Sequence, residues 1–452
     1  MKNARWLKPS KWKVLALSVA ALLGMGAIGI HRFPADPPDE DPDNSSYHLT
    51  KTVIPAGMRN MDKAFLSPDG SSLLIDRREI KPDLSETRWL EVHDVATFRT
   101  LATMPMPTVP PPPPSMPSKI RSVSAAVHFC NAGKTILVYE SGYTFSIFDA
   151  RTFTQKASIT LRATTDRSAE NPLPDDKPTV VLASSCAASA PVAAVEIMFG
   201  PFGTGVTQVF DLDTGKQISE IAADAFGSPI NIDVSPSGAS AAILVARFQK
   251  AEVKPAYDTT KNTADLTILD LNARALGRRI LSGMDGSRVA FVGENQVAVA
   301  GSGEPSMRQE GGSGTQGKLH AQLPGIQLFD IHTGTLSQRF RDPADGARVF
   351  VAASSDGRLL LGYTGKEWMY TEGGSETYLQ VDRARFTIWD RQTGTVIAQS
   401  PGLQVFKRAY KMLDNSHTVS ERPTMDYSQR GNAVLVSWPG FATKRVEIFT
   451  IK

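Results

Sequence analysis

Short runs of alternating apolar and polar residues recur through the chain from about residue 47 onward. Runs such as Phe386–Asp390 (FTIWD) and Thr207–Asp211 (TQVFD) place apolar side chains on one side of an extended backbone. A period of two residues is typical of β-strands with one buried face. Most of these runs end in an apolar residue, an aspartate and a tight polar turn. The pattern predicts an all-β protein whose strands are joined by short hairpins.

The aspartates that end these runs recur at nearly constant spacing. They are Asp94, Asp149, Asp211, Asp270, Asp330 and Asp390, with gaps of 55, 62, 59, 60 and 60 residues. A further step of 60 residues reaches Thr450, in a strand of the same kind that has lost its aspartate. An apolar strand, a polar turn and a second apolar strand precede each of these positions. The chain therefore contains seven units of about four strands each, a repeat typical of propellers and solenoids.

The turn after each aspartate has a chemical explanation. In the pattern Asp-x-x-Thr-Gly, the aspartate accepts hydrogen bonds from the turn, and glycine adopts the positive φ that closes it. We therefore assign the six aspartates a structural role in the hairpin between the third and fourth strands of each unit.

At these residues the chain resembles the WD40 and YVTN-type propeller families. Ile388-Trp389-Asp390 contains the Trp-Asp dipeptide, and Ser67–Gly70 (SPDG) is a turn typical of these families. The resemblance implies a seven-bladed β-propeller of four-stranded antiparallel blades, and it is nearly silent on function. Two features differ from cytosolic WD40 repeats: the Gly-His pair is missing, and the repeat is longer than the usual 40–45 residues or so.

Strand counting predicts how the ring closes. The first unit supplies four strands, whereas the last unit ends with the chain one strand short. The spare strand is residues 47–54, directly after the N-terminal region. We expect it to pair with Val446–Ile451 and remove the open sheet edge.

The N-terminus predicts a membrane anchor. Residues 1–13 form a basic flank, residues 14–30 are seventeen uncharged residues, and residues 31–46 form an acidic, proline-rich stalk before the propeller at 47–452. An uncharged span after a basic flank predicts a transmembrane helix with a cytoplasmic N-terminus. We favour an uncleaved signal-anchor, and a cleaved signal peptide is the alternative. The propeller is then extracytoplasmic, and periplasmic in a Gram-negative cell.

Charge and cysteine content narrow the function. Beyond residue 32 the chain has 43 basic and 46 acidic residues, so it lacks the basic surface that nucleic-acid binding requires. Cys130 and Cys186 occupy matching places in neighbouring units. We favour two buried free thiols, and a disulfide is the alternative. No linear motif predicts a catalytic residue, a metal site or a cofactor.

Long connections predict the binding surface. Those between second and third strands are Arg77–Arg88, Phe248–Asn262, Gly303–Lys318 and Glu367–Arg383. Met104–Lys119 and Ala163–Pro178 join successive units. Both kinds emerge at the same end of a four-stranded blade, here called the top face, and elaborated loops on one face usually mark a binding side. The candidate contacts are the aromatic and basic residues of these loops: Lys250, Lys254, Tyr257, Arg308, Trp368, Tyr370 and Tyr378.

These observations favour a protein-interaction or scaffold module over an enzyme. The closing strand is an outer strand that begins at the opposite, bottom face, so the stalk attaches there and the top face points away from the membrane. A protein partner is therefore expected at the top face. The alternatives are a propeller enzyme such as a lactonase-like hydrolase, and a carbohydrate-binding or sensor protein with a site in the central channel.

Overall fold

The structure is a computed structural model, and it describes sixteen stretches of the chain. They are residues 49–54, 63–81, 85–107, 126–140, 144–161, 180–198, 205–222, 228–250, 257–281, 286–301, 325–340, 348–372, 376–400, 408–410, 424–437 and 446–451. The predicted membrane span at 14–30 and the stalk at 31–46 lie outside these residues. Within them, no helix is long and apolar enough to cross a membrane.

The described strands form seven antiparallel sheets, each a blade; in six of them the four main strands follow sequence order from the axis outward, and the seventh takes its outermost strand from the N-terminal side. Blade 1 consists of β2 (Lys63–Leu66), β3 (Ser72–Ile80), β4 (Glu86–Asp94) and β5 (Thr100–Pro105). Blade 2 consists of β6 (Val127–Cys130), β7 (Thr135–Tyr139), β8 (Thr144–Asp149) and β9 (Gln155–Thr160). Blade 3 consists of β10 (Val180–Cys186), β11 (Val192–Met198), β12 (Gly205–Asp211) and β13 (Gln217–Ala222).

The next three blades repeat this arrangement. Blade 4 consists of β14 (Ser228–Val234), β15 (Ser240–Lys250), β16 (Tyr257–Asp270) and β17 (Ala275–Leu281). Blade 5 consists of β18 (Gly286–Phe291), β19 (Gln296–Gly301), β20 (Gly325–Asp330) and β21 (Leu336–Phe340). Blade 6 consists of β22 (Arg348–Ala353), β23 (Leu359–Glu372), β24 (Glu376–Asp390) and β25 (Val396–Gln399), with β26 (Arg408–Tyr410) as an additional strand on β24.

Blade 7 combines both ends of the propeller. It consists of β27 (Thr424–Tyr427), β28 (Ala433–Ser437), β29 (Val446–Ile451) and β1 (Leu49–Ile54). The outer strand β1 pairs with β29 over its whole length, from Leu49 opposite Ile451 to Ile54 opposite Val446. The prediction that the N-terminal strand closes the ring is therefore confirmed, and the chain is a seven-bladed β-propeller.

The apolar core is divided among the interfaces between blades. Seven buried clusters correspond to the seven pairs of adjacent blades. Trp389 of the Trp-Asp dipeptide is 1% exposed and lies 5.9 Å, ring centre to ring centre, from Phe340 of the preceding blade. Each blade therefore buries both faces against its neighbours, which explains the long apolar runs of β7, β11 and β28.

The six repeat aspartates have the predicted structural role. Each accepts a hydrogen bond from a backbone N–H two or three residues on, as from Thr97 to Asp94 (2.7 Å) and from Thr393 to Asp390 (2.9 Å). Gly215, Gly334 and Gly394 then adopt positive φ. In the three repeats without this glycine, Phe98, Phe153 and Arg274 adopt positive φ instead. The turn geometry is therefore kept even where a side chain makes it less favourable.

Cys130 and Cys186 form a disulfide, so the favoured expectation of two free thiols is wrong. The two cysteines end β6 and β10, the innermost strands of blades 2 and 3, and their Cα atoms are 5.6 Å apart. Innermost strands converge on the propeller axis, which brings matching positions of adjacent blades within bridging distance.

Candidate functional site: the top face and the central channel

Strand direction assigns the connections to two faces. Because neighbouring strands in each blade are antiparallel, the connections from second to third strands and from blade to blade emerge on the top face. The turns between first and second strands and between third and fourth strands emerge on the bottom face. Strand β1 begins at Leu49, opposite Ile451 and next to the bottom turn that precedes Ala433. The chain therefore enters the propeller from the bottom face, as predicted.

Three of the predicted top-face loops are instead extended hairpins. Pairing between β3 and β4 continues to Ile80 opposite Glu86, so most of Arg77–Arg88 is strand. The hairpin of β15 and β16 continues to Lys250 opposite Tyr257, and that of β23 and β24 continues to Glu372 opposite Glu376. The length of these connections beyond a minimal blade suggested loops, but the β-branched and aromatic residues of Phe248–Asn262 and Glu367–Arg383 favour strand pairing. Gly303–Lys318 lies outside the described residues.

The hairpins bring some of the predicted contact residues together in register. Lys250 lies opposite Tyr257 in blade 4, and Tyr370 lies opposite Tyr378 in blade 6, with Trp368 two residues before Tyr370 on the same strand. Lys254 and Arg308 lie outside the described residues. Five of the seven candidates are therefore placed in two top-face hairpins of different blades.

The bottom end of the central channel is narrowed by turn residues. The Gln429 side chain of blade 7 donates a hydrogen bond to the carbonyl of Phe129 in blade 2, at 2.7 Å. A cleft of about 390 Å³ opens beside it, lined by Asp69, Arg430 and the turn before Gly133. In that turn Asn131 and Ala132 adopt positive φ, directly after the disulfide-bonded Cys130. This end of the channel is therefore built from tightly constrained turns.

The channel wall carries two carboxylates that join adjacent blades. Asp233 of blade 4 accepts hydrogen bonds from the Phe291 backbone N–H (2.7 Å) and the Ser185 hydroxyl (2.8 Å). Asp426 of blade 7 accepts one from the Leu66 backbone N–H of blade 1 (2.6 Å). Burial raises the pKa of both carboxyl groups to about 6, although these hydrogen bonds oppose the shift. Both residues lie two positions before the bottom turn of their blade and form the lower level of the channel.

A second level lies nearer the top face and carries the opposite charge. Its members lie four positions before the bottom turn of their blades: Lys63, Asn231, Arg288 and Phe350. The Arg288 guanidinium lies over the Phe350 ring, 5.3 Å from its centre. The Arg288 side chain is exposed to the space inside the ring of blades rather than to bulk solvent. This enclosure lowers the pKa of the guanidinium, although the negative charges of Asp426 and Asp233 act in the opposite direction. Burial and the nearby Arg78 also lower the pKa of Lys63, to about 8.

A further titratable group of the channel wall is His128 in blade 2. Its Nε2 atom is 2.9 Å from the Ser184 hydroxyl of blade 3. Burial and the charge of Arg288 lower the pKa of this imidazole to about 4, so it is neutral at physiological pH. The repeat pattern alone puts His128 on an inner strand and does not decide whether its side chain faces the channel. Asp233, Arg288 and Asp426 carried no sequence signal, because they belong to no linear motif.

Next to Lys63, blade 1 contains a buried ionic cluster. Arg88 forms a bidentate pair with Asp76, at 2.6 and 2.9 Å, and donates to the carbonyl of Tyr139 in blade 2. Arg78 contacts both Asp76 and Glu86 at 3.4 Å. The Asp76 carboxylate is thus held by arginine, and Arg88 joins blade 1 to blade 2. Among the described residues, no group of three or more His, Cys, Asp or Glu side chains is arranged to hold a metal ion.

Comparisons with known proteins add no family. No family model matches the chain, and no curated protein matches it. Among solved structures, Kuenenia stuttgartiensis hydrazine synthase is similar at 17% identity, covering 69% of this chain and 72% of that one with a TM-score of 0.41. The β-propeller domain of Cps50 (Swd1) from Myceliophteria thermophila is similar at 12% identity, covering 90% of this chain and all of that one with a TM-score of 0.48. The class, a seven-bladed β-propeller, follows from the strand pairings described above.

Proposed function

We propose that this protein is a membrane-anchored, extracytoplasmic interaction module that binds a protein partner through its top face. The observation that carries the proposal is the pair of extended hairpins, β15–β16 and β23–β24, on the face opposite the one where the chain enters. The pairing of β24 with β25 ends at Thr387, whereas β23 goes on pairing with β24 through residues 366–372. At the rise of a β-strand, these seven residues extend roughly 20 Å beyond the four-stranded part of the blade. Such a hairpin exceeds what the blade itself needs.

Two further features support the cellular part of the proposal. The basic flank and uncharged span at residues 1–30 predict an anchor whose propeller is exported. The disulfide between Cys130 and Cys186 suits an oxidising compartment, because reducing pathways keep cytosolic thiols reduced. Protease added to intact spheroplasts should therefore digest residues beyond 33. Digestion only after lysis would contradict the proposed location.

The partner-binding test shortens one hairpin and leaves its blade intact. Replacing residues 365–384 with Asn-Gly joins Thr364 to Arg385, which are opposed in register, by a two-residue turn. The tagged full-length protein and this variant are cross-linked in their own cells, and the captured proteins are identified by mass spectrometry. We expect the variant to keep its cooperative thermal unfolding and to lose a specific captured protein.

The matched control lies on the bottom face. Lys216 is exposed and makes no turn-capping contact through its side chain, so Lys216→Gln should leave capture unchanged. Arg391 is a poorer control because its guanidinium contacts Gln296 of blade 5. If Lys216→Gln removes capture and the shortened hairpin does not, the membrane-proximal face is the working surface.

A further inference from the structure

The upper level of the channel carries hydrogen-bond donors, and the Arg288 side chain among them is exposed. The Asn231 side-chain oxygen accepts a hydrogen bond from the Val289 backbone N–H at 2.9 Å, so the amide NH₂ group remains a donor for another partner. Among the described residues, nothing accepts a hydrogen bond from that NH₂ group or from the Arg288 guanidinium. A guanidinium and an amide N–H are both donors and cannot satisfy each other.

Each carboxylate oxygen of the lower level already accepts one hydrogen bond from the protein. Both Asp233 oxygens accept hydrogen bonds from the protein, and both Asp426 oxygens accept from the backbone N–H groups of Leu66 and Tyr427. Neither carboxylate accepts a hydrogen bond from Arg288 in the described structure, so both act on its charge at a distance without satisfying its N–H groups. The N–H donors of Arg288 and Asn231 would therefore be satisfied by a bound acceptor that carries negative charge.

We propose that the central channel binds a small organic monocarboxylate, whose carboxylate is held by Arg288 and Asn231 and whose apolar part packs on Phe350. Guanidinium matches carboxylate in planar, two-point geometry. The Phe350 ring beside the guanidinium offers an apolar surface that inorganic phosphate cannot use. The two cations Lys63 and Arg288 are nearly balanced by Asp233 and Asp426, so one negative charge is accommodated better than two or three. This site is independent of the partner surface proposed above.

The charged groups around the site predict its pH dependence. As pH falls from about 8 to about 5.5, Asp233 and Asp426 become protonated, Lys63 gains its charge and His128 stays neutral. The other charged groups near Lys63, which are Asp76, Arg78 and Arg88, are joined in the ionic cluster of blade 1. Both changes make the channel more positive, while a carboxylic acid with an ordinary pKa near 4 remains ionised. Monocarboxylate affinity should therefore rise as pH falls.

The test measures benzoate binding to the full-length protein by ligand-observed NMR and titration calorimetry at millimolar concentrations. Benzyl alcohol retains the ring without the charge, and inorganic phosphate retains charge without the ring. We expect benzoate to bind at least about tenfold more tightly than either, since a hydrogen-bonded charge pair is worth roughly that factor. Equal binding of benzyl alcohol, tighter binding of phosphate or no binding of benzoate would overturn the proposal.

Three variants locate the site. Arg288→Gln should weaken benzoate binding about tenfold or more by removing the charged fork. Asn231→Asp keeps an oxygen for the Val289 N–H but adds a negative charge, so it should weaken binding while preserving the blade contact. Arg430→Gln, the same exchange at the bottom mouth, should leave binding unchanged. Unchanged binding in both channel variants, or loss in Arg430→Gln alone, would overturn the assignment to the upper level.

Discussion

Reduction of the disulfide between Cys130 and Cys186 should destabilise the propeller measurably. The bridge spans a sequence separation of 56 residues and joins the innermost strands of blades 2 and 3. A crosslink restricts the unfolded chain, and the loop-entropy relation gives about 4 kcal/mol for a loop of this length. With an unfolding entropy set by the described residues alone, which number 271, this lowers the unfolding midpoint by about 7 °C.

The comparison uses wild-type protein in its oxidised and reduced forms, because reduction adds no cavity and no new side chain. Thermal unfolding followed by circular dichroism gives the midpoint, and urea titration gives the free energy of unfolding. The double variant Cys130→Ala with Cys186→Ala should reproduce the reduced protein, with a small additional loss from the cavity at the fully buried Cys130.

Two results would refute this reasoning. Equal stability of the oxidised and reduced forms would show that the crosslink does not restrict the unfolded chain as calculated. Two reactive thiols per molecule in protein isolated without reductant would show that the bridge does not form in the cell. The second result would also remove one support for an oxidising location.

Three further predictions concern the ring and its buried groups. Deleting residues 47–54 should expose the edge of β29 and cause aggregation in light scattering, and a monomeric deletion variant of unchanged stability would contradict closure by β1. Burial raises the pKa of Glu196 to about 7. Between about pH 4.5 and pH 7 the folded protein therefore binds more protons than the unfolded chain, and its free energy of unfolding falls as pH rises through this window. Glu196→Gln should remove that fall and stabilise the protein by about 3 kcal/mol in urea titrations at pH 8, and an unchanged pH profile would be inconsistent with this. Gly357→Ala should lower the unfolding midpoint more than Gly293→Ala. Both glycines have positive φ, but only at Gly357 would an added Cβ come within 2.6 Å of a neighbouring backbone atom. Equal losses in the two variants would show that the strain of positive φ alone matters.

The fold was predictable from sequence because its signals are local. The aspartate turn needs only a few consecutive residues, and its recurrence at about 60-residue intervals revealed the blade count. Closure by residues 47–54 followed from counting strands. The hairpin extensions were missed because segments such as residues 366–382 mix charged residues with aromatic ones, and a charged strand resembles a loop when its pairing partner is unknown.

The channel and the disulfide could not be read from sequence in the same way. Arg288, Asp233 and Asp426 come from blades 5, 4 and 7, and only closure of the ring brings them near one another. Similarly, Cys130 and Cys186 occupy matching repeat positions, but their distance depends on how closely innermost strands converge on the axis. A linear motif cannot show which side chains from different blades meet in the closed ring. The repeat shows only which positions of adjacent blades correspond to each other.

The most direct test of the top-face proposal is photo-crosslinking in intact cells. A photoreactive residue is placed singly at Tyr370 or Tyr378 in the β23–β24 hairpin, and at Lys216 or Arg358 on the bottom face. If the top face is the working surface, the two hairpin positions should crosslink to the same partner protein and the two bottom positions should not. Crosslinking of that partner from Lys216 and Arg358, with none from Tyr370 and Tyr378, would contradict the account.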